Sequence, residues 1–307
     1  MKSLETDCKI CGAQFSSLGG LHGHLSKTER IAKEDYYSIF FPRFDIQTGR
    51  QIVFKSHEDY FKRRFADKKN EFNYIKKNKD CPVVREIISE QLDLFVGKSK
   101  RLPTYIEWRS SKNFRYDYLE ECSLLNVFFN IAREKKFLNT FSYEKPKNIK
   151  ENSLGKILID TREQKPLFSG SEVSSINVGD YTFDSENYTG VHIDRKSKED
   201  FISTFTSGLD RFKREAEKAK NLGVVLVVLV EASYSDCFGF RPLKFSKQRV
   251  TGENAFHGLR QISREYDIQF LFVSNREEAA EYVRKILSNK KVVTDYDLQY
   301  LYEKGWF

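Results

Sequence analysis

The sequence predicts an α/β domain in its second half, a central mixed sheet flanked by helices, preceded by a small finger-like module and a mostly helical region. Three observations carry that expectation. After residue 156 short apolar strands alternate with amphipathic helices, the pattern of a sheet covered by helices. The run "VVLVVLV" at 224–230 is far shorter than the ~18 residues of a membrane span and reads as a buried strand. Near the start, "CKICGAQFSSLGGLHGHL" (8–25) sets Cys8-x-x-Cys11 twelve residues ahead of His24, a metal-ligand spacing.

The elements follow in order. Residues 1–30 form the finger-like module, and 31–80 are a basic, aromatic-rich extension. Residues 81–140 are helical: "VVREIISEQLDLFV" and "YLEECSLLNVFFNIAREKKF" repeat apolar positions at helical spacing. Between them "KSKRLPTYIEWRSSKNFRYDY" mixes Lys and Arg with Tyr and Trp. Such a mixture either stacks on nucleic-acid bases or packs on a helical core. A polar linker is expected at 141–155, the α/β domain at 156–290, and a tail at 291–307. Within the α/β part, "KILIDTRE" is a strand, 178–200 a β-hairpin, and "KEDFISTFTSGLDRFKREAEKAKNLG" one helix closed by Gly223. "IQFLFVS" is the last strand and "REEAAEYVRKILS" the last helix.

The chain has 307 residues, 39% hydrophobic and 14% aromatic, enough for two or three cores and too apolar for disorder. Five cysteines do not make a secreted disulfide framework. No basic-then-apolar leader opens the sequence. The expected location is intracellular: cytoplasm of a prokaryotic or virus-infected cell, or a nucleus, with no membrane partner. Net charge is +8, and it is uneven. Residues 1–150 hold 29 Lys and Arg against 20 Asp and Glu, whereas 151–307 hold 23 against 24. The first half is therefore the part suited to a polyanion such as DNA. No Gly-rich phosphate loop with Gly-Lys-Ser/Thr occurs, so no ATPase is indicated.

The stretch "VGDYTFDSENYTGVHIDRKSKED" (178–200) gathers Asp180, Asp194 and Lys196 at the ends of two strands. Residues two apart on a strand face the same way, so Asp194 and Lys196 project together. Hydrolysis of a phosphodiester needs charge neutralised, a water activated and a leaving oxygen stabilised. Mg²⁺ or Mn²⁺ held by two or three carboxylates serves all three needs. His192 falls on the face of Asp194, within reach of the site. Glu231, ending the buried strand, reads as structural.

Three segments, "ILIDTREQKP" (157–166), "VGDYTF" (178–183) and "HIDRKSKEDF" (192–201), resemble the nuclease domain of XPF-family structure-specific endonucleases. The following helix and strand in "GLDRFKREAEKAKNLGVVLVVLVE" fit the same family, over roughly 155–290. The resemblance implies a restriction-endonuclease-like core and a Mg²⁺- or Mn²⁺-dependent DNA endonuclease. It makes Asp180 and Asp194 metal ligands, Asp160 a third acid at the same metal and Lys196 the catalytic lysine. Glu163 and Asp200 would shape the cluster. Arg162, Arg195 and Arg211 would contact phosphate or hold the acids. Branched DNA (flaps, forks or junctions) is the implied substrate. A homodimer or heterodimer through the nuclease domain is the implied assembly. Two features depart from the family: Asp194 replaces the motif's Glu, and no tandem helix-hairpin-helix segment follows residue 288. Two alternatives remain, a site-specific duplex endonuclease and a catalytically silent DNA-binding subunit.

The N-terminal module resembles a Cys-Cys-His-His zinc finger, with Cys8, Cys11 and His24 as Zn²⁺ ligands and Phe15 and Leu21 as its small core. The fourth ligand is either Glu29 or His22. On a regular helix His22 lies about 200° round from His24. The helix of such a finger commonly enters the major groove of DNA. Cys81, Cys122 and Cys237 read as ordinary buried or half-buried thiols.

Overall fold

The computed structural model describes residues 6–97, 101–111, 116–137, 141–149, 155–242 and 250–307. The expected linker therefore lies partly outside the described residues, as do the ends of the segment around Trp108. The chain divides into two units, Met1–Ile88 with Tyr118–Val127, and Ser89–Asp117 with Phe128–Phe307.

In the first unit, Ser17 caps α1 (Leu18–His24) by accepting the Gly20 N–H. The helix widens into a π-helical turn, Leu25–Glu29, which Arg30 ends in a left-handed conformation. Next come α2 (Lys33–Phe40), α3 (His57–Lys62) and α4 (Lys68–Lys77). Ser56 and Asp67 cap the last two through their side-chain oxygens. One core joins Cys8, Leu21 and Leu25 to Tyr36, Tyr37, Ile52, Phe54 and Tyr60. These aromatic residues of the 31–80 extension are thus interior, not offered to bases. Buried Asp45 accepts from Gln47, Thr48, Ala66 and Asn70, and so ties that segment together.

The chain continues through α5 (Pro82–Val96), α6 (Tyr105–Arg109), α7 (Tyr116–Glu121) and α8 (Leu125–Glu134). Pro82 opens α5, where its missing N–H costs nothing. A capping box of Thr104 and Glu107 starts α6. Tyr105 and Trp108 are buried, Trp108 on Phe128 at 4.3 Å and Tyr105 against Tyr300 at 5.6 Å. Tyr105 and Trp108 therefore pack in a core and are not offered to bases.

The second unit holds a six-stranded mixed sheet in the order β2-β1-β3-β4-β5-β6. Its strands are β1 (Ile157–Asp160), β2 (Glu172–Ser174), β3 (Tyr181–Phe183), β4 (Val191–Lys196), β5 (Val225–Val230) and β6 (Gln269–Phe272). β3 runs antiparallel to β1 and β4, whereas β4, β5 and β6 are mutually parallel. The expected 178–200 hairpin is the β3–β4 pair. On one face lie α9 (Lys198–Thr204), α10 (Leu209–Asn221), α11 (Tyr234–Phe238) and α12 (Gly252–Tyr266), sharing a core with Leu226, Val228 and Val230. Phe201, Phe205, Phe212, Phe256 and Phe272 meet there with ring centroids 4.9 to 5.4 Å apart. Each such ring contributes roughly 1.5–3 kcal/mol by leaving water. Val227 and Leu229 are equally buried and face the other way, where α13 (Arg276–Ser288), α14 (Lys290–Asp295) and α15 (Leu298–Glu303) pack on the sheet. Burial on both faces is why β5 reads as an unbroken apolar run.

Two segments differ from expectation. The single helix expected over 198–223 is broken into α9 and α10. Thr206 and Ser207 donate their hydroxyls back to the carbonyls of Ile202 and Ser203, and such bonds compete with the helix ladder. Most of the expected tail, 291–307, instead lies in α14 and α15, and buried Asp297 binds the N–H of Tyr105 and caps Tyr300. Among the described residues no helix is long and apolar enough to cross a membrane.

Candidate active site

Alternation along β4 sorts the Asp194-Arg195-Lys196 triplet onto two faces. Asp194 and Lys196 pair laterally with Val228 and Val230 and lie on the face covered by α9, α10 and α12. Lys196 Nζ sits 5.7 Å over the Phe212 ring. It donates to Asp194 Oδ1 at 2.9 Å and lies 2.7 Å from Oδ2. Both Asp194 oxygens thus lie against one ammonium, a buried ion pair. A carboxylate has about four acceptor sites, so lone pairs remain on Asp194 with which it could also hold a metal.

Asp180 reaches the same place from the turn before β3. Its N–H donates to Ile193 O at 2.7 Å, and its Oδ2 accepts the Arg195 N–H at 2.8 Å. Gly179 makes this approach possible. Its φ is +74°, and a Cβ there would stand 2.8 Å from Ile193 O. A Gly179→Ala variant should lose about 2–4 kcal/mol from left-handed strain and the backbone clash. Urea unfolding should register that loss.

Burial, and then the charge of Asp194, push the Asp180 carboxyl up to about 8. Burial works against the Lys196 ammonium, yet Asp194, Asp180 and Glu215 hold its pKa above the ordinary lysine value. Lys196 is therefore a cation at neutral pH, a donor and not a base.

Glu215 is the residue that the sequence motifs did not single out. From α10 it accepts the Gly179 N–H at 3.3 Å. Burial and the Asp194 charge raise its pKa, and Lys196 opposes them. The signal was present in the sequence: Phe212, Glu215, Ala216 and Ala219 fall at i, i+3, i+4 and i+7, one face of an amphipathic helix. An acid at an inward position of an otherwise apolar stripe marks a site.

The other predicted residues are placed as follows. Asp160 is buried with both oxygens committed: Oδ1 accepts Arg162 N at 2.8 Å and Nε at 2.6 Å, and Oδ2 accepts Ile176 N at 2.7 Å. Burial opposes its charge, but Arg162 holds its pKa low. The Arg162 side chain itself stays 68% exposed. Arg195 points to the opposite face, where its Nε and one terminal nitrogen grip Glu163, both at 2.9 Å, and the other lies 3.1 Å from Glu231. Arg276 joins Glu231 at 2.8 Å and the carbonyls of Lys165 and Pro166. Arg195 therefore holds acids instead of presenting itself to phosphate. Asp200 exchanges hydrogen bonds with Ser197 at the start of α9, an exposed helix cap. Arg211 is exposed in the first turn of α10. His192 Nδ1 donates to Val178 O, and Nε2 accepts from the Tyr188 hydroxyl. Burial lowers its pKa. Both ring nitrogens are thus used in packing β4, away from the acids.

In the N-terminal unit Cys8, Cys11, His24 and Glu29 converge, with one donor atom from each within 4.8 Å of the others. Among the described residues this is the one set of three or more such donors drawn so close. The acids around Lys196 are spread more widely, as suits a hard cation that takes one or two carboxylates and keeps waters.

Residues 148–286 match the family model of the ERCC4 domain. This segment, just under half of the chain, is an ERCC4 domain. ERCC4 domains belong to the XPF nuclease family, and the mixed sheet flanked by helices is the restriction-endonuclease-like arrangement expected from the sequence. Two solved structures are similar to the chain. XPF from Aeropyrum pernix is 17% identical, with 44% of this chain and 64% of that chain covered and a TM-score of 0.32. The same protein in complex with DNA is 19% identical, with 45% and 66% covered and a TM-score of 0.33. The chain thus spans just under two thirds of the length of those solved chains. No curated protein matches it.

Proposed function

We propose that the chain is a Mg²⁺- or Mn²⁺-dependent endodeoxyribonuclease that hydrolyses phosphodiester bonds in branched DNA. The observation that carries this is the meeting of Asp180, Asp194 and Lys196 in an ERCC4 domain, two buried acids beside one ammonium. Asp180 and Asp194 would hold the ion, which when bound neutralises phosphate charge and acidifies water. Lys196, held protonated, orients the attacking water or takes up charge on the phosphoryl oxygens through its N–H bonds. Glu215 fixes the Gly179 turn and with it the Asp180 carboxylate. Asp160 acts by clamping the β1 end through Arg162 and Ile176; it would have to release Arg162 to reach a metal. The exposed Arg162 and Arg211 are left for flanking phosphates. DNA affinity comes from the first half, whose charge excess is +9, with Zn²⁺ as the structural ion of its N-terminal unit. Pairing with a second nuclease domain, of this chain or another, belongs to the same proposal.

The test is cleavage of labelled flap, fork, four-way-junction and linear DNA in Mg²⁺, Mn²⁺ or chelator. Branched DNA should be cut only with metal. Lys196→Ala should lower the rate roughly 10²- to 10³-fold. Glu215→Gln should cost roughly tenfold and raise the metal concentration needed, as loss of a supporting contact does. Cutting that follows sequence on linear duplex would instead favour a site-specific enzyme. DNA bound but uncut in either metal would mark a silent subunit.

A further inference from the structure

The four donors of the N-terminal unit have an internal logic that the spacing alone leaves open. Cys8 and Cys11 sit on a tight turn closed by Gly12 N–H to Cys8 O and Cys8 N–H to Ala13 O, both at 2.8 Å. Gly12 takes φ +77° there. Cys8 is buried and Cys11 exposed. His24 Nε2 points at two acceptors at once, Cys11 Sγ at 3.2 Å and Glu29 Oε1 at 3.0 Å. Cys8 Sγ is 3.9 Å from the same Glu29 oxygen. A neutral imidazole offers that nitrogen one proton at most, so hydrogen bonding alone does not explain the convergence. A tetrahedral Zn²⁺ with bonds of ~2.0–2.3 Å separates N, O and S ligands by roughly 3.4–3.8 Å, close to the distances found.

The backbone explains why position 29 reaches the site. On an α-helix five residues advance about 500°, leaving position 29 some 140° away from His24. The π-helical turn Leu25–Glu29, closed by Arg30 N–H on Leu25 O, is wider and brings residue i+5 back over residue i. His22 takes no part. Its Nε2 is 2.8 Å from the Tyr37 hydroxyl, and its ring stands edge-on to that of Tyr37.

We infer that Cys8, Cys11, His24 and Glu29 bind one Zn²⁺ as a Cys₂-His-Glu centre in which Glu29 is the fourth ligand. This rests on the zinc assignment for the N-terminal unit and is independent of the nuclease chemistry. Two thiolates and a carboxylate leave the centre with a net charge of −1, where a second histidine would leave it neutral. The ion would also anchor the core of the unit. Cys8 shares its core with Tyr36, Tyr37, Ile52, Phe54 and Tyr60, so loss of metal should loosen the unit as far as Tyr60.

The full-length chain would be purified with Zn²⁺, dialysed against chelators of graded strength, and its zinc measured by mass spectrometry. Co²⁺ exchange would supply absorption bands diagnostic of tetrahedral sulfur ligation. Wild type should retain one ion. Glu29→Gln should weaken retention at least 100-fold and change the Co²⁺ spectrum. His22→Ala should leave both unchanged. Glu29→His, which creates a His-x₄-His spacing, should keep one ion with tetrahedral bands, and it remains informative if Glu29→Gln fails to fold. Tight binding in Glu29→Gln, or release in His22→Ala, would overturn the Glu29 assignment while leaving zinc in place. Wild type without any ion, or with Cys8 and Cys11 joined in a disulfide, would overturn the zinc centre itself.

Discussion

Asp180→Asn is expected to abolish cleavage and, in the same preparation, to raise the melting temperature of the metal-free protein by roughly 3–10 °C. The two effects have one cause. Asp180 is pushed up to about 8 because burial and the neighbouring Asp194 disfavour its charge. Its ordinary value is 3.8, so its carboxyl is more easily protonated folded than unfolded. The stability this confers is complete below pH ~4 and drains away as pH rises through 8. At neutral pH the metal-free wild-type chain therefore holds Asp180 mostly protonated, under an electrostatic strain on the order of 1–3 kcal/mol that asparagine relieves. A bound divalent cation relieves the same strain, so metal affinity should climb between pH 6 and 8 as Asp180 gives up its proton. Scanning fluorimetry of both proteins, at pH 6 and pH 9 with and without Mn²⁺, checks each part. Wild type should be stabilised by acid or by metal, and the variant should respond weakly to both. A variant less stable than wild type without metal would show that Asp180 holds the fold and is not strained for chemistry.

The site was legible where the sequence carries periodicity, and illegible where it carries only context. Asp194 and Lys196 share a face because strands repeat every two residues, and Gly179 precedes Asp180 because no side chain fits beneath Ile193 O. Both can be read from a string of letters. Glu215 lies thirty-five residues beyond Asp180; its place on the apolar stripe of α10 is legible, but only the packing of α10 on the sheet shows that the stripe sets it beside Gly179 and Asp194. The aromatic segments misled for a similar reason. Tyr36, Tyr37, Tyr105 and Trp108 are flanked by Lys and Arg, which suggests a surface for nucleic acid. They are nevertheless interior, because long basic side chains reach water from the rim of a core while the rings fill it. The break between α9 and α10 depended on hydroxyls of Thr206 and Ser207 turning back to the backbone, a choice that propensity alone leaves balanced. Likewise, nothing local marks Asp160 as already spoken for; its partner Ile176 lies across the next loop.

Arg195 offers the second large effect, and a contrast with its neighbour. Arg195→Leu should destabilise the protein by about 3–5 kcal/mol, or roughly 6–20 °C, because it strands Glu163 and leaves Glu231 to Arg276. Glu163 is 4% exposed and Glu231 10% exposed, so water cannot replace the lost partner. Burial opposes the charge on Glu163, and its low pKa depends first on the Arg195 hydrogen bonds. Lys196→Ala, one residue on, also strands a buried acid, Asp194, but its distinguishing effect should be the roughly 10²- to 10³-fold loss of cleavage rate. Strand alternation thus divides the acid-Arg-Lys triplet into one residue that holds acids on one face and two that meet Asp180 on the other. Measured well below its melting temperature, Arg195→Leu should bind DNA within about threefold of wild type with an unchanged salt dependence. A salt slope reduced by about one would instead mean that Arg195 neutralises a phosphate. Replacing Glu163, Arg195 and Glu231 together by apolar residues of similar volume should recover much of the lost stability. Recovery would identify the damage as unpaired buried charge. Failure to recover would locate it in the bonds from Arg276 to Glu231 and to the carbonyls of Lys165 and Pro166, which close the loop after β1.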